Sequence, residues 1–375
     1  MGLRIVLGAM VASVPGHGGA TWAALQYALG LRALGHDVLV VDEVHGPGDP
    51  AARERALDEL AGAFGLDGRL ALLTGGRAAL GVPFAEAQAF AAGADLLVNL
   101  AGTLREPELL EAPARRLYVD LDPAFTQLWH ACDGVDMGLA AHERFASVGL
   151  RLHAPDCAAP DCGVVWAPTL PPVVLDRWPA AFEAPREGVT AIANWRSYGT
   201  IEHDGVRYGQ KAHSVRALID LPRRAAEPVR FALRIDAGEA DDLAALHAHG
   251  WELVDAARET ASPADYARFV RGSAAELGIA KEGYVVSRCG WFSDRSACYL
   301  ASGRPVVAQR TGWEETLPDG EGLLGFDTAE EAGQALAAVR AEPRRHAAAA
   351  LTLARERLDA RRVLPALLEV GLDGR

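Results

Sequence analysis

Residues 283–326 read GYVVSRCGWFSDRSACYLASGRPVVAQRTGWEETLPDGEGLLGF. Tyr284-Val285-Val286 is a short apolar run and reads as a strand. Ser287 through Asp294 is a loop rich in hydrogen-bond donors. Arg295 to Ser302 has helical character, with Ser293 or Asp294 as N-cap and Gly303 as the stop. Arg304 to Gln309 is the next strand, and Gly322 to Phe326 closes the segment. A polar, glycine-containing loop that runs into a helix N-terminus presents unpaired backbone N–H groups to an anion. After a strand of an open α/β sheet, this is where a nucleotide diphosphate sits. The candidate contacts are Ser287, Arg288, Gly290, Ser293, Asp294, Arg295 and Ser296.

The rest of the chain alternates in the same way. Apolar runs at 4–9, 37–41, 95–100 and 117–121 read as buried strands, with 69–73 as a further candidate, and helices are expected at 20–34, 51–64, 84–92 and 123–131. Continuous apolar runs separated by helices indicate a parallel sheet covered on both faces. A proline-rich stretch, WAPTLPPVVLDRWPAAFEAP, carries prolines at 168, 171, 172, 179 and 185 and reads as a linker. A second alternation follows: strands at 190–194, 229–235 and 251–254, helices at 210–221 and 241–247, then the segment quoted above. Thr328 opens a capping box with Glu331. Helices are expected over 329–339, 343–358 and 363–370.

At 375 residues the chain has room for two cores. Half of it is apolar, as in globular proteins. A net charge of −13 argues against a general grip on nucleic acid, which needs a basic stripe. No run reaches the ~18 apolar residues of a membrane helix. The start, Met1-Gly2-Leu3-Arg4, runs straight into a strand, and Val6 fits a myristoylation motif poorly. Five cysteines, an odd count, suit reduced thiols in the cytoplasm. His153, Cys157 and Cys162 lack the second pair that a structural zinc site needs. A structural zinc site is not expected there.

The first strand–helix turn runs from Gly8 to Gly19. Its glycines let the backbone approach a ligand, although it is not a GxGxxG. His17 stands between glycines just before the helix. At the mouth of a sheet it is a candidate general base, or else an exposed loop histidine. Asp120-Leu121-Asp122 is a D-x-D at a strand end, of the kind that can hold Mg²⁺ or Mn²⁺ or cap the helix beginning at Pro123. Trp195 ends the first strand of the second half and can stack on a base or sugar, or fill the core.

These motifs resemble the glycosyltransferases of the GT-B fold. Gly16-His17 and the close Leu31-Arg32-Ala33-Leu34-Gly35-His36-Asp37-Val38 are similar to the family's opening. Tyr299-Leu300-Ala301-Ser302-Gly303-Arg304-Pro305-Val306-Val307 is similar to its E-A-x-x-x-G-x-P-V-V, and Ser287-Arg288-Cys289-Gly290 to an S-R-x-G donor turn. The resemblance implies an α/β architecture of two facing Rossmann-like domains, with C-terminal helices crossing back to the N-terminal domain. It implies an acceptor domain over 1–170, a linker over 171–187, a donor domain over 188–345 and crossing helices over 346–375. His17 would deprotonate the acceptor, and Asp120 or Asp122 would orient it. Gly18, Gly19, Trp195 and Lys211 would serve the donor. So would Thr311, Gly312, Glu314 and Glu315, with Glu314 or Glu315 facing the sugar hydroxyls. Trp22 and Trp129 would line the acceptor site.

The sequence departs from the family where retaining members carry E-x7-E: Gly290 and Cys298 stand there. The reading is a cytoplasmic bacterial hexosyltransferase that uses a nucleotide sugar, UDP favoured, with no other cofactor and no metal. The acceptor would be a small molecule, glycan or peptide, and a homodimer is compatible with the sequence. The alternatives are a nucleotide-sugar hydrolase or 2-epimerase, and a catalytically silent nucleotide-binding or scaffold protein.

Overall fold

The computed structural model of the chain describes residues 2–182, 188–225 and 228–373. The end of the expected linker, 183–187 with Pro185, lies outside the described residues.

Two sheets organise the molecule. The first contains β1 (Arg4–Gly8), β2 (Asp37–Glu43), β3 (Leu70–Gly75), β4 (Ala78–Gly81), β5 (Leu96–Leu100), β6 (Arg116–Asp120), β7 (Arg144–Ser147) and β8 (Ala167–Pro168). Its order is β4-β3-β2-β1-β5-β6-β7-β8, parallel except for the β3–β4 hairpin. The second contains β9 (Val189–Asn194), β12 (Val229–Arg234), β13 (Glu252–Asp255), β14 (Ala275–Gly278), β15 (Val306–Gln309) and β16 (Leu323–Phe326). Its order is β13-β12-β9-β14-β15-β16, all parallel. A separate hairpin pairs β10 (Ile201–His203) with β11 (Val206–Tyr208). Each main sheet reverses its winding beside its first strand, between β1 and β5 and between β9 and β14. The crevice for a ligand in such sheets lies at the carboxyl ends of the strands by that reversal.

The local chemistry explains the elements. β5, LLVNL, is buried along its whole length. Its one polar side chain, Asn99, both accepts from and donates to the backbone of Leu104. The Gly18–Ala33 helix ends before Gly35, whose φ of +87° is left-handed and suits glycine. The Ala360–Asp373 helix packs on the Gly18–Ala33 helix and on β5, β6 and β7, so the C-terminus crosses back to the first sheet. Val173 fixes that crossing by donating to Leu358 and accepting from Ala360. Elsewhere the halves share main chain: Leu150 and Arg151 donate to the carbonyls of Gly290 and Cys289, and Ala158 donates to Ser287.

Several expectations change. Tyr284–Val286 is not a strand: Glu282–Ser287 is a helix that buries Gly283, Tyr284 and Ser287 and exposes Val286. Three apolar residues carry no period that separates the two states. The strand of that unit is β14, AELG, whose fully buried Glu276 masks it in a hydropathy reading. The helix expected over 210–221 stops at Ala217, and a short helix resumes at Leu221 with Pro222 in its first turn. The β10–β11 hairpin turns on Asp204-Gly205, both at positive φ, as a two-residue hairpin loop requires. No described helix is long and apolar enough to cross a membrane.

Candidate active site in the cleft between the two sheets

A cleft of about 410 Å³ lies between the two sheets, within the range of small-ligand sites. Its walls come from the carboxyl ends of strands in both: Gly16–Ala20 after β1, Leu121 and Asp122 after β6, Ile192–Asn194 and Ser197 at and after β9, Arg234 ending β12, and Lys281 after β14.

The loop after β1 is held from beneath. Asp42, buried on β2, accepts from the successive N–H groups of Val11, Ala12 and Ser13 at 2.8, 2.6 and 2.8 Å. Burial pushes the Asp42 carboxyl up, and the three N–H groups oppose that shift. The loop delivers His17 as the N-cap of the Gly18–Ala33 helix, with no side chain capping that terminus. Nη1 of Arg234, from the other sheet, lies 2.8 Å from His17 Nε2, and Nη2 donates to the Gly16 carbonyl at 3.0 Å. Burial, then the Arg234 charge, holds the imidazole below its usual pKa.

The opposite wall is cationic. Lys211 is 8 % exposed, and its Nζ donates to the Ile279 carbonyl. Burial, and then the charges of Arg295 and Lys281, hold it well below the usual lysine range. Among the described residues no carboxylate lies within ion-pair distance of Lys211 or Arg234. The other two cleft cations are paired. Arg295 bonds Glu276 and the Ile192 carbonyl, and Lys281 Nζ lies 2.9 Å from Asp122 Oδ2. Asp122 also accepts from the hydroxyls of Tyr198 and Tyr284. The Lys281 ammonium sits over the rings of Phe125, Tyr198 and Tyr284 at 5.1, 4.3 and 5.1 Å. Ser293 caps the Asp294–Ala301 helix by accepting from the Arg295 N–H. Burial pushes the Asp294 carboxyl up.

Comparison with known proteins places this architecture. Residues 222–367 match a family described as glycosyl transferase-like. An alpha-glucosyltransferase in complex with UDP-glucose and abasic-site DNA superposes with a TM-score of 0.63 at 13% identity, over 99% of each chain. HepE of Anabaena, in complex with UDP and glucose, gives 0.61 at 14%, over 100% of each. The chain has the GT-B fold. Sucrose-phosphate synthase of Thermosynechococcus elongatus, another GT-B structure, gives 0.55 at 10% identity, over 98% of this chain and 97% of that one. No curated protein matches the sequence.

Within this GT-B cleft the structure brings together His17, Gly18, Gly19, Asp122, Lys211, Ser293, Asp294 and Arg295. The other expected residues stand elsewhere. Asp120 is fully buried, and its oxygens accept from Asp122 N, Thr126 Oγ1, Gln127 Nε2 and Ser147 Oγ; it does not bond His17. Trp195 is in the second core, donating to Asp242. Trp22 packs on Trp178 and Phe64 and donates to the Pro263 carbonyl. Trp129 stacks edge-on against Tyr198.

Arg288 and Glu315 form a four-membered charge cluster with Arg151 and Asp156. Gly290 and Gly312, at φ of +78° and +102°, pack against Arg151. Thr311 bonds the Trp291 carbonyl, Glu314 accepts from Gly312 N, and Ser287 donates to the Tyr284 carbonyl. Ser296 is buried behind the cleft. Arg234, Lys281, Tyr27 and Tyr284 line the cleft without having been singled out in the sequence. Arg234 and Lys281 share one signal, a basic residue at or just past a strand's carboxyl end.

Proposed function

We propose that the protein transfers a sugar from a nucleoside diphosphate sugar, UDP being the favoured nucleotide, to an acceptor nucleophile. The observation that carries this reading is that two cations from the second half, Lys211 at a helix start and Arg234 at a strand's carboxyl end, line one cleft without carboxylate partners among the described residues. A diphosphate supplies the charge that they lack, and the N-termini of the Gly18–Ala33 and Asp294–Ala301 helices favour the same anion. The division follows the sheets: residues 1–170 hold the acceptor, 188–345 the donor, 171–187 link them, and 346–375 cross back.

In the transfer, a lone pair of the acceptor oxygen forms a bond to the anomeric carbon. The bond from that carbon to the β-phosphate oxygen breaks, and its electron pair leaves with the diphosphate. The acceptor proton passes to His17. Lys211, Arg234 and backbone N–H groups stabilise the charge that develops on the leaving group. UDP and glucose bind one protein of this fold and UDP-glucose another, and both are similar to this chain over nearly its whole length.

The test is a thermal-shift panel of UDP, GDP, ADP, dTDP and their sugars. A ligand at about 100 times its Kd stabilises the folded state by ~2.7 kcal/mol. A nucleotide-selective rise in Tm is expected, and no shift with any of them refutes donor binding.

A further inference from the structure

We propose that Arg234 is a positioning residue that occupies the lone pair of His17 and gives it up when a diphosphate enters, so that the nucleotide sugar must bind before the acceptor can be activated. The inference rests on the transfer reading above and adds an order of events to it.

A guanidinium carries only donors and stays protonated. At 2.8 Å from Arg234 Nη1, His17 Nε2 is therefore the acceptor, and a neutral ring carries its proton on Nδ1. The only basic lone pair of the ring is then engaged, and an acceptor hydroxyl cannot hand a proton to it. The second contact of Arg234, to the Gly16 carbonyl, is also a neutral acceptor. Both partners are weak competitors for a guanidinium. A diphosphate offers charged oxygens in the fork geometry that arginine matches, and such charge-assisted bonds are roughly twice as strong as neutral ones. Arg234 lines the same cleft as Lys211, where that anion would lie.

The connection crosses the molecule. Arg234 ends a strand of the second sheet, and His17 ends the loop after the first strand of the first sheet. Transfer of the guanidinium from imidazole to phosphate replaces this contact between the walls with a contact to the ligand. The acid–base group is thereby armed by the molecule that it will act on.

The experiment uses the full chain with ¹⁵N-labelled histidine rings, the His17 resonances being assigned by their loss in His17→Gln. UDP is the probe, and its binding is measured by calorimetry in wild type and Arg234→Gln. UDP is expected to move the wild-type Nε2 resonance from a hydrogen-bonded to a freer position. Arg234→Gln is expected to show the freer position without UDP, and to bind UDP about tenfold to a hundredfold more weakly, the range for a lost charge-assisted bond. UDP binding that leaves the wild-type Nε2 resonance unmoved overturns the gating and leaves the transfer reading standing. Wild type that binds no nucleotide overturns the transfer reading itself. If Arg234→Gln does not fold, the wild-type titration alone decides.

Discussion

Gly18 sits where the Gly18–Ala33 helix meets the segment before the Pro263–Gly272 helix. Its N–H donates to the Thr260 carbonyl at 3.0 Å. A Cβ there would lie 2.2 Å from the Ser262 oxygen and 2.8 Å from the Thr260 oxygen. Both obstacles are backbone, so Gly18→Ala must push two chain segments apart rather than turn a side chain. Overpacking of this kind costs ~1–3 kcal/mol, and loss of the hydrogen bond adds ~1 kcal/mol. At about 2–4 °C per kcal/mol for a unit of 150–250 residues, a loss of ~3 kcal/mol lowers Tm by roughly 6–12 °C.

Two neighbours calibrate the effect. Gly19→Ala meets one obstacle, the edge of the buried Tyr266 ring at 2.9 Å, rather than two backbone oxygens, and should lose less. Gly16→Ala meets nothing within 4 Å, but φ is +83°, so only backbone strain of ~1–2 kcal/mol applies. Scanning fluorimetry of the three variants, with and without UDP, checks the order. A Gly18→Ala protein as stable as Gly19→Ala would refute the packing of this helix against residues 260–263.

Further outcomes follow from other contacts. Lys211→Met removes a buried ammonium held far below its usual pKa; it should raise Tm by a few degrees (~1–2 kcal/mol) while abolishing most of the UDP-induced shift, both read by the same fluorimetry. Asp42→Ala strips Val11, Ala12 and Ser13 of their shared acceptor and should cost about 2–4 kcal/mol in denaturant unfolding, with faster amide exchange at those three positions. His142, buried between Asn99 and the Gly138 carbonyl, is held down at about 4, chiefly by burial. The unfolded chain takes up that proton near pH 6.5 and the folded chain does not. Stability is therefore full above 6.5 and falls as pH drops towards 4, by at most ~3 kcal/mol. His142→Gln should flatten that part of the wild-type Tm–pH curve, and curves of equal slope would count against the assignment.

The strands that carry the fold were legible because β1 and β2 hold the apolar runs 5–7 and 38–41, and β5 is apolar but for Asn99, as parallel sheets covered on both faces demand. β14 was not, because its buried Glu276 depends on Arg295, a partner that the strand's own residues do not announce. For the site, loop glycines around His17 were a local signal and survived as cleft residues. Trp22 and Trp195 were not separable from ligand-stacking aromatics: each indole N–H finds a half-buried acceptor, Pro263 O and Asp242, far off in the chain. Arg234 offered one weak signal, a basic residue closing a strand. Its meaning comes from a histidine 217 residues away.

The strip of main chain joining residues 150–151 to 289–290 has a mechanical consequence. Hydrogen bonds along such a strip resist sliding far more than they resist rotation about its length. It therefore pins the segment after β7 to the residues that lead into the Asp294–Ala301 helix. The register of the two walls is set there by main chain, and a ligand entering the cleft finds His17 already placed opposite Arg234.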